Sequence, residues 1–497
     1  MFDQLFTYSF LLMDKYKKYF CLILILSAVF SVLSVRNEFC WGDDFAQYIL
    51  QAKSILSGNF EHFAFQNSIR SEYSTVCVGP TYYPWGFPLL IAPVLAIFGM
   101  NFTAFQIYIS LFHILFLFSL WILFRNKLNR IQILGIIAIF AFNPFLFEFK
   151  KNLVPEIPFL LFSTLCIYLI ERILIDKEYI LKKDWLSYLL LGVILFVSVF
   201  LRTAGVTLVI VYFVAQVFIY LKTKKTHLVE WTPYIVLLTL YFIANSFFSS
   251  EVSSYKSVFA QAGGISVKSI FEHILYYSVI PSKFYEIPEF SSIIYGITLP
   301  FFFIGLINRF SKDFLYIIFV VIYTGLILLF PDYGGFRLLL PVAPFYFYFF
   351  FIGLESCPTY TLKIKGKPSN IPSGHIISYF IIIISFLAIS YQSVLIQTGK
   401  AQPIQGPLST DSKELFSYIV RNTKKDDKII FWKPRAMILY TDRSSFFVQD
   451  VNRIITYKGA YLVEETDGEI NVSQNLKFRN NSRLLFTNGH FKLYKLS

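Results

Sequence analysis

Long apolar segments separated by short basic loops dominate the hydrophobic pattern of this chain. Eleven segments contain no charged residue and are 14 to 24 residues long, and about 17–25 apolar residues are enough to cross a bilayer as a helix. The pattern therefore predicts an α-helical polytopic membrane protein with about eleven transmembrane helices. The predicted spans are 19–35, 101–124, 131–147, 157–170, 185–201, 203–221, 232–248, 293–307, 314–330, 338–354 and 376–396.

Positive charges in the loops predict the orientation. The apolar segment 87–100 contains Pro88 and Pro93, and if it lies along the surface without spanning, six basic clusters share one side. The positive-inside rule places that side in the cytoplasm, together with the N-terminus, and makes 87–100 a juxtamembrane helix. The clusters are Lys15/Lys17/Lys18, Arg125/Lys127/Arg130, Arg172/Lys177/Lys182/Lys183, Lys222/Lys224/Lys225, Arg309/Lys312 and Lys363/Lys365/Lys367.

This orientation leaves an outer loop, 36–100, and a tail, 397–497, outside the cytoplasm. The tail has the pattern of a small α/β domain. Ser409 has the character of a helix N-cap, 428–432 and 445–448 read as strands, and Asn488-Gly489 is a hairpin signal between 484–486 and 490–494. We therefore predict a membrane domain, 1–396, and an extracytoplasmic α/β domain, 397–497.

Composition excludes several classes of protein. The chain is 56% hydrophobic and 15% charged, whereas soluble domains carry about 25% charged residues, so a soluble enzyme, a disordered chain and a disulfide scaffold are excluded. The net charge of +13 is explained by orientation and does not indicate nucleic acid. Walker A, HExxH, CxxC and GxGxxG motifs are absent. Cys40 and Cys77 share the outer loop, where either a disulfide or two unpaired thiols is compatible with the spacing.

Acidic residues at the outer surface are the first candidates for chemistry. Asp43 and Asp44 follow the first span, and Asp44 shares a helical face with Tyr48, four residues on. Helix capping is the alternative interpretation, since Asp is a preferred N-cap. Glu156 stands at the outer end of the fourth span, where an acid in the first helical turn is also favoured by the helix dipole.

Two arginines interrupt apolar sequence on the same side. Arg202 and Arg337 break the positive-inside pattern, and either snorkelling to headgroups or bidentate binding of a phosphate explains such a residue. Tyr82 and Tyr83 precede the juxtamembrane helix, where aromatic side chains are also common membrane anchors.

Taken in order, these segments resemble the integral-membrane C-type glycosyltransferases (GT-C), a superfamily that includes protein O-mannosyltransferases and lipid A aminoarabinose transferase. The resemblance covers nearly the whole chain, including a stretch, 413–443, that is similar to the outer domain of bacterial members. The matching motifs are WGDDFAQY (41–48), YPWGFPLL (83–90), NP (143–144), NLVPEIP (152–158), RTAG (202–205), RLLLP (337–341), WKPR (432–435) and YTDR (440–443).

The resemblance implies transfer of a hexosyl or pentosyl group from a polyprenyl-phosphate donor at the outer face of a bacterial inner (cytoplasmic) membrane, with inversion if the reaction is a single displacement. It makes Asp44, or Asp43 as second choice, the base or acceptor-positioning acid, and Glu156 the second acid. Relatives often carry a basic residue where this chain has Tyr82 and Tyr83, so Arg202 and Arg337 become the candidate ligands of the donor phosphate.

Several partners and functions stay open at this level. Tyr48, Tyr82 and Tyr83 are expected to line the substrate pocket, and the acceptor is a glycan, a lipid or a protein. No cofactor is required by the chemistry, no metal ligand is assigned, and some branches of the superfamily use a divalent metal while others do not. Membrane lipid is an expected partner, and nucleic acid is not. The alternative functions are a transporter or flippase of lipid-linked sugars and a non-catalytic partner in glycan assembly.

Overall fold

The structure is a computed structural model that describes residues 15–36, 40–75, 79–80, 82–181, 183–248, 266–285, 290–331, 333–356, 359–364, 367–400, 404–466, 472 and 475–497. Cys77 lies outside these residues, so its pairing with Cys40 stays a prediction.

Helices make up most of the described part of the chain as far as residue 397. They are α1 (Lys15–Leu33), α2 (Asp44–Ser57), α3 (Phe60–Tyr73), α4 (Gly86–Phe98), α5 (Phe102–Phe124), α6 (Arg130–Ala141), α7 (Pro144–Lys151), α8 (Glu156–Leu169), α9 (Asp184–Leu201), α10 (Val206–Thr223), α11 (Thr232–Phe247), α12 (Val267–Val279), α13 (Ser291–Arg309), α14 (Phe314–Leu328), α15 (Phe336–Leu339), α16 (Ala343–Leu354) and α17 (Ser373–Gln397). A π-helical turn, Ile170–Ile175, extends α8, and 3₁₀ turns occupy Thr203–Gly205, Leu228–Trp231, Ile280–Tyr285 and Leu340–Val342. Strands β1 (Thr359–Ile364) and β2 (Lys367–Pro372) form an antiparallel pair before α17.

The predicted polytopic membrane fold is confirmed. Within the described residues nine helices are long and apolar enough to cross a membrane, or ten if the bent pair α6 and α7 is one span. The remaining predicted span, 314–330, is the shorter apolar helix α14, which has 15 residues.

The predicted span 131–147 is broken. Helices α6 and α7 meet at an angle of 42°. Asn143 caps α7 by accepting a hydrogen bond from the Leu146 N–H, and Pro144 occupies the first helical position, where its missing N–H is not needed. A continuous helix through Pro144 would lose a backbone hydrogen bond, so a new helix begins there.

Three amphipathic or short apolar helices, α2, α3 and α4, lie between the first two spans. Helix α4 has 13 residues and is about 20 Å long, which is shorter than the roughly 30 Å hydrocarbon core. Gly86 at its start sits against the α9 backbone, because a Cβ there would lie 2.4 Å from the Phe200 carbonyl oxygen. Helix α4 is therefore held against the end of a spanning helix.

The C-terminal region consists of α18 (Thr410–Asn422), β3 (Lys428–Ile430), α19 (Pro434–Thr441), β4 (Ser444–Phe446), α20 (Val451–Ile454), β5 (Tyr461–Glu465), α21 (Leu476–Asn480), β6 (Ser482–Thr487) and β7 (Phe491–Leu496). Its strands form a five-stranded mixed sheet of order β4-β3-β5-β7-β6. Strands β3, β4 and β5 are parallel, and β7 is antiparallel to both β5 and β6. Sequence analysis predicted the first helix from Ser409, which caps α18 through the Ser412 N–H, and the β6–β7 hairpin, but it missed β5.

Trp41 joins the sheet region to the membrane helices. Its ring, in a residue only 8% exposed, lies 5.5 Å from Phe431 and about 6 Å from Phe416, Trp432 and Phe491, measured between centroids. One continuous hydrophobic core therefore includes residues of both regions. Burial of aromatic rings is among the largest stabilising contributions in a fold, so the two regions are firmly attached.

An ionic cluster lies at the opposite end of α5 from Asp44. Phe102, at the start of α5, packs against Phe45, whereas Lys127 follows the other end of this 23-residue helix, about 34 Å away. Lys127 Nζ lies 2.5 Å from Glu171 and 2.6 Å from Asp313, and Tyr316 and Tyr348 each donate a hydrogen bond to one of these carboxylates.

Replacement of Lys127 by Met is expected to destabilise the folded protein by roughly 3–5 kcal/mol, because it leaves the buried Glu171 without its cation and Asp313 with only the more distant Arg309. Thermal unfolding in detergent would measure the effect. Lys268→Met is the control, since Lys268 is 85% exposed in its 3.9 Å pair with Glu272 and should barely change the unfolding temperature. Equal shifts for the two variants would contradict this assignment.

Candidate active site

Asp43 and Asp44 stand at the start of α2, but capping of α2 does not account for either side chain. Asp43 occupies the N-cap position without a side-chain cap hydrogen bond. Its carboxylate accepts a hydrogen bond of 3.1 Å from the backbone N–H of Ala436, in the first turn of α19. A negatively charged side chain is favoured at the N-terminal end of a helix, because the helix dipole is positive there. Asp43 therefore ties the C-terminal region to the membrane region.

Asp44 is surrounded by three donors. Arg337 Nη1 donates to Oδ2 at 3.0 Å, and the Tyr83 hydroxyl donates to Oδ1 at 2.5 Å. Arg435 Nη1 donates to the same Oδ1 at 3.3 Å. Hydrogen bonds to ionised groups are stronger than neutral ones, so the carboxylate is fixed in orientation.

The two neighbouring acids have opposite pKa shifts. Burial alone would raise the pKa of Asp44, but Arg337, Arg435 and the hydrogen bond from Tyr83 outweigh it and lower the pKa from 3.8 to about 2. Burial raises the pKa of Asp43 above 3.8, against the opposing effect of Arg435 and Arg70. Asp44 is therefore fully ionised at neutral pH, as a proton acceptor must be.

Tyr83 is held in place by both its backbone and its ring. The buried Gln51 side chain donates to the Tyr83 carbonyl at 2.9 Å and accepts from the Tyr83 N–H at 3.1 Å. The ring stacks on Tyr48 with centroids 4.8 Å apart, and Tyr48 packs edge-on against Phe87. Because Tyr48 is one turn after Asp44, the predicted shared face brings Tyr48, Tyr83 and the carboxylate together.

Glu156 belongs to the same network. Its Oε1 accepts a hydrogen bond of 3.2 Å from Arg202 and lies 3.7 Å from Arg337 Nε. Glu156 is only 2% exposed, and neither its Oε2 nor Arg337 Nε has a hydrogen-bond partner among the described residues. Arg337 therefore bridges Asp44 and Glu156 and retains unused hydrogen-bonding capacity next to both acids.

Tight backbone turns place the two predicted arginines. Arg202 ends α9 in an extended conformation, and the turn after it needs Gly205, where a Cβ would lie 2.4 Å from the Ser198 carbonyl oxygen. Arg337 stands in the first turn of α15, which starts after Gly335 at φ +66°, a conformation that favours glycine.

Tyr82 lies in an aromatic wall beside this network. Its ring is 5.4 Å from Phe63 and 6.4 Å from Trp85, measured between centroids, and Phe63 also packs against Trp85. The other seven predicted site residues form one connected network. Within it, Arg435 connects Asp43 to Asp44, and Tyr83 connects Tyr48 to Asp44.

The charges of the site do not suit a divalent metal. The described residues contain no group of three or more His, Cys, Asp or Glu side chains that could hold a metal ion. Asp44 instead has guanidinium groups on both oxygens, which would repel a cation. The site contains three carboxylates and four arginines, which are Arg70, Arg202, Arg337 and Arg435. This excess of positive charge favours an anionic ligand.

Sequence analysis missed Arg435 and Gln51 as parts of this site. Arg435 occupies the second position of α19, where the helix dipole disfavours a cation. That misplaced charge was a signal in the sequence, because a cation at a helix start needs an acid elsewhere to stabilise it. Gln51 gave no signal beyond a polar residue one turn after Tyr48.

Comparison with solved structures identifies the fold. Over 97% of this chain and 98% of the other, the structure is similar to ArnT from Cupriavidus metallidurans in the apo state, with 8% identity and a TM-score of 0.60. ArnT from the same organism bound to undecaprenyl phosphate is similar over 95% and 97%, with 8% identity and a TM-score of 0.58. No protein-family model and no curated protein sequence matches this chain.

Proposed function

We propose that this protein, which has the fold of the C-type membrane glycosyltransferases, transfers a sugar from a polyprenyl-phosphate donor to an acceptor at the extracytoplasmic face of the membrane. The fold supports the proposal because ArnT shares it over nearly its whole length, and one ArnT structure has undecaprenyl phosphate bound. The basic clusters of the loops support a cytoplasmic N-terminus and an extracytoplasmic C-terminal domain, 397–497, after the membrane domain, 1–396. We place the protein in the inner membrane of a bacterium.

The accessibility of Arg337 is the observation that supports its assignment to the donor phosphate. Its side chain is 39% exposed, compared with 14% for Arg202 and 2% for Arg435, yet it reaches both Asp44 and Glu156. An arginine that is accessible and adjacent to a base candidate can bind the donor phosphate without leaving the site. Arg202 then keeps Glu156 paired and is the second candidate for the phosphate.

The proposed reaction is a single displacement. The acceptor hydroxyl oxygen forms a bond to C1 of the sugar as the bond between C1 and the phosphate oxygen breaks. Asp44 accepts the hydroxyl proton, and the electron pair leaves with the polyprenyl phosphate, whose charge Arg337 neutralises. This attack inverts the anomeric centre. The proposed reaction uses no metal ion, because Asp44 and Glu156 are paired with arginines.

Arg337 links donor binding to the strength of the base. In the structure Arg337 and Arg435 hold the pKa of Asp44 at about 2, at which a carboxylate is a weak base. When the donor phosphate takes Arg337 away from Oδ2, one of these cations is lost and the pKa of Asp44 rises. The carboxylate therefore becomes more basic when the donor is in place.

Reconstituted protein provides the direct test. Purified protein in liposomes, given a polyprenyl-phosphate sugar labelled in the sugar and a mixture of candidate acceptors, is expected to release polyprenyl phosphate and label one acceptor. Cells lacking the protein should accumulate the same lipid-linked sugar and lose one glycan residue. Movement of the intact donor across the bilayer without release would instead identify a flippase. A changed glycan with neither activity would identify a non-catalytic assembly partner.

A further inference from the structure

Arg435 is buried in the site although it belongs to the C-terminal domain. It lies in the first turn of α19, 391 positions after Asp44, and is only 2% exposed. A buried arginine at the start of a helix is destabilised both by the loss of its hydration and by the helix dipole. Its position must therefore be stabilised by the groups it contacts.

Those contacts all belong to the outer loop of the membrane domain. Arg435 Nη1 donates to Asp44 Oδ1 at 3.3 Å and to the Tyr83 hydroxyl at 3.1 Å, while Nη2 donates to the Pro80 carbonyl at 2.8 Å. Its guanidinium carbon lies 5.0 Å from the centroid of the Tyr83 ring. Asp43 carries the opposite charge, 3.9 Å away from Nε.

The backbone of the outer loop is shaped around this guanidinium. Gly79 has φ +76°, and a Cβ at that position would lie 2.7 Å from Arg435 Nη2. Arg70, also fully buried, donates to the same Pro80 carbonyl at 3.0 Å. The space for Arg435 is therefore built into the loop, and the side chain has little freedom to move.

Arg435 and Arg337 hold different oxygens of Asp44 and differ in accessibility. Arg337 is partly exposed and can exchange Asp44 for the donor phosphate, whereas Arg435 is enclosed and cannot reach a ligand without unfolding its surroundings. After Arg337 moves, Arg435 and Tyr83 are the groups that still hold Oδ1.

We propose that Arg435 is a positioning residue through which the C-terminal domain orients Asp44 and Tyr83 for catalysis. The inference rests on the proposed function and deepens it, since it makes the C-terminal domain a part of the catalytic unit. Because Arg435 acts on the base and does not touch the donor, its loss should affect turnover and leave donor binding unchanged.

The test compares three variants of the full-length protein in liposomes. Arg435→Met is expected to lower kcat by about 100-fold, the effect of a misplaced catalytic group, with the donor KM within about twofold of wild type. Arg435→Lys keeps the charge and should recover part of the rate. Arg443→Met is the control, because Arg443 is also buried, at 6% exposed, but its hydrogen bonds to Thr423, Thr441 and Val420 stay within the C-terminal domain. Its folded fraction should keep the wild-type kcat.

The pH profile provides a readout that a purely structural role would not change. Arg435 lowers the pKa of Asp44, so its loss should move the acidic limb of the rate profile to higher pH. If Arg435→Met does not fold, Gly79→Ala, which displaces the guanidinium without deleting it, should show the same loss of kcat. A wild-type kcat in either variant would overturn the inference alone. A wild-type protein that transfers no sugar would overturn the proposed function and this inference together.

Discussion

Replacement of Asp44 by Asn is expected to lower kcat for sugar transfer by roughly 10²- to 10⁴-fold, the usual contribution of a general base. The amide oxygen can still accept hydrogen bonds from Tyr83 and Arg435, whereas the NH2 group that replaces Oδ2 cannot accept from Arg337. The site should therefore keep the contacts of Oδ1 while losing the proposed proton acceptor. The measurement is the rate of polyprenyl-phosphate release from a labelled donor, normalised to folded protein. The donor KM should change little if Arg337 remains free to bind the phosphate.

Asp43→Asn makes the same chemical change one residue away and provides the comparison. Its amide oxygen can still accept from the Ala436 N–H, so we expect a smaller loss than for Asp44→Asn. A larger loss in Asp43→Asn would exchange the two assignments. Full activity in both variants would remove this pair of acids from the mechanism.

Replacement of Arg337 by Met is expected to raise the donor KM by roughly 10- to 100-fold, because a hydrogen bond to a charged group contributes about 1.5–3 kcal/mol. The acceptor KM should change less. Arg337→Lys keeps one positive charge but cannot form a bidentate contact, so it should fall between Met and wild type. Donor titration at saturating acceptor measures the effect.

Arg309→Met is the matched control for this prediction. Arg309 is comparably accessible, at 30% exposed, but it lies beside Asp313 in the ionic cluster at the other end of the helices. The donor KM of Arg309→Met should equal that of wild type. If it rises as much as in Arg337→Met, a general loss of positive charge explains the effect and the phosphate assignment fails.

The stability of the folded protein should depend on pH through Asp44, and Arg337→Met should shift that dependence. A carboxyl group whose pKa is lowered in the folded state stabilises that state above its unfolded pKa, and this contribution is lost as the pH falls through the folded value. For Asp44 the interval is about pH 4 to 2, between its ordinary value and its value in the structure. In Arg337→Met the pKa of Asp44 rises, so the contribution is lost at higher pH.

The membrane helices were predictable because each carries its signal locally. An uncharged run long enough to cross a bilayer is a property of adjacent residues, and all eleven predicted spans correspond to apolar helices or a bent helix pair. The predicted ends of the spans were less accurate where backbone geometry, and not hydropathy, determines where a helix ends. The break at Pro144 depends on backbone hydrogen bonding, which hydropathy does not record.

The candidate site was predictable only on the membrane side. Asp44, Glu156 and Arg337 stand out as charges at the ends of apolar segments, so their sequence context reveals them. Arg435 is harder to find, since charged residues are common outside apolar segments, and its one local signal, a cation in the first turn of a helix, does not reveal its partner. The role of Asp43 was missed for the same reason, because its partner, the Ala436 N–H, is 393 positions away.

Strand β7 has a consequence for how the protein is made. Residues 491–496 form this strand between β5 and β6, so the sheet that carries α19 is incomplete until they have left the ribosome. By then more than four hundred residues have been added to the chain after Asp44. A nascent chain that has not reached β7 already contains Arg435, but β5 lacks this neighbour and Trp41 lacks the Phe491 ring, so the attachment of the C-terminal region to the membrane helices is completed last.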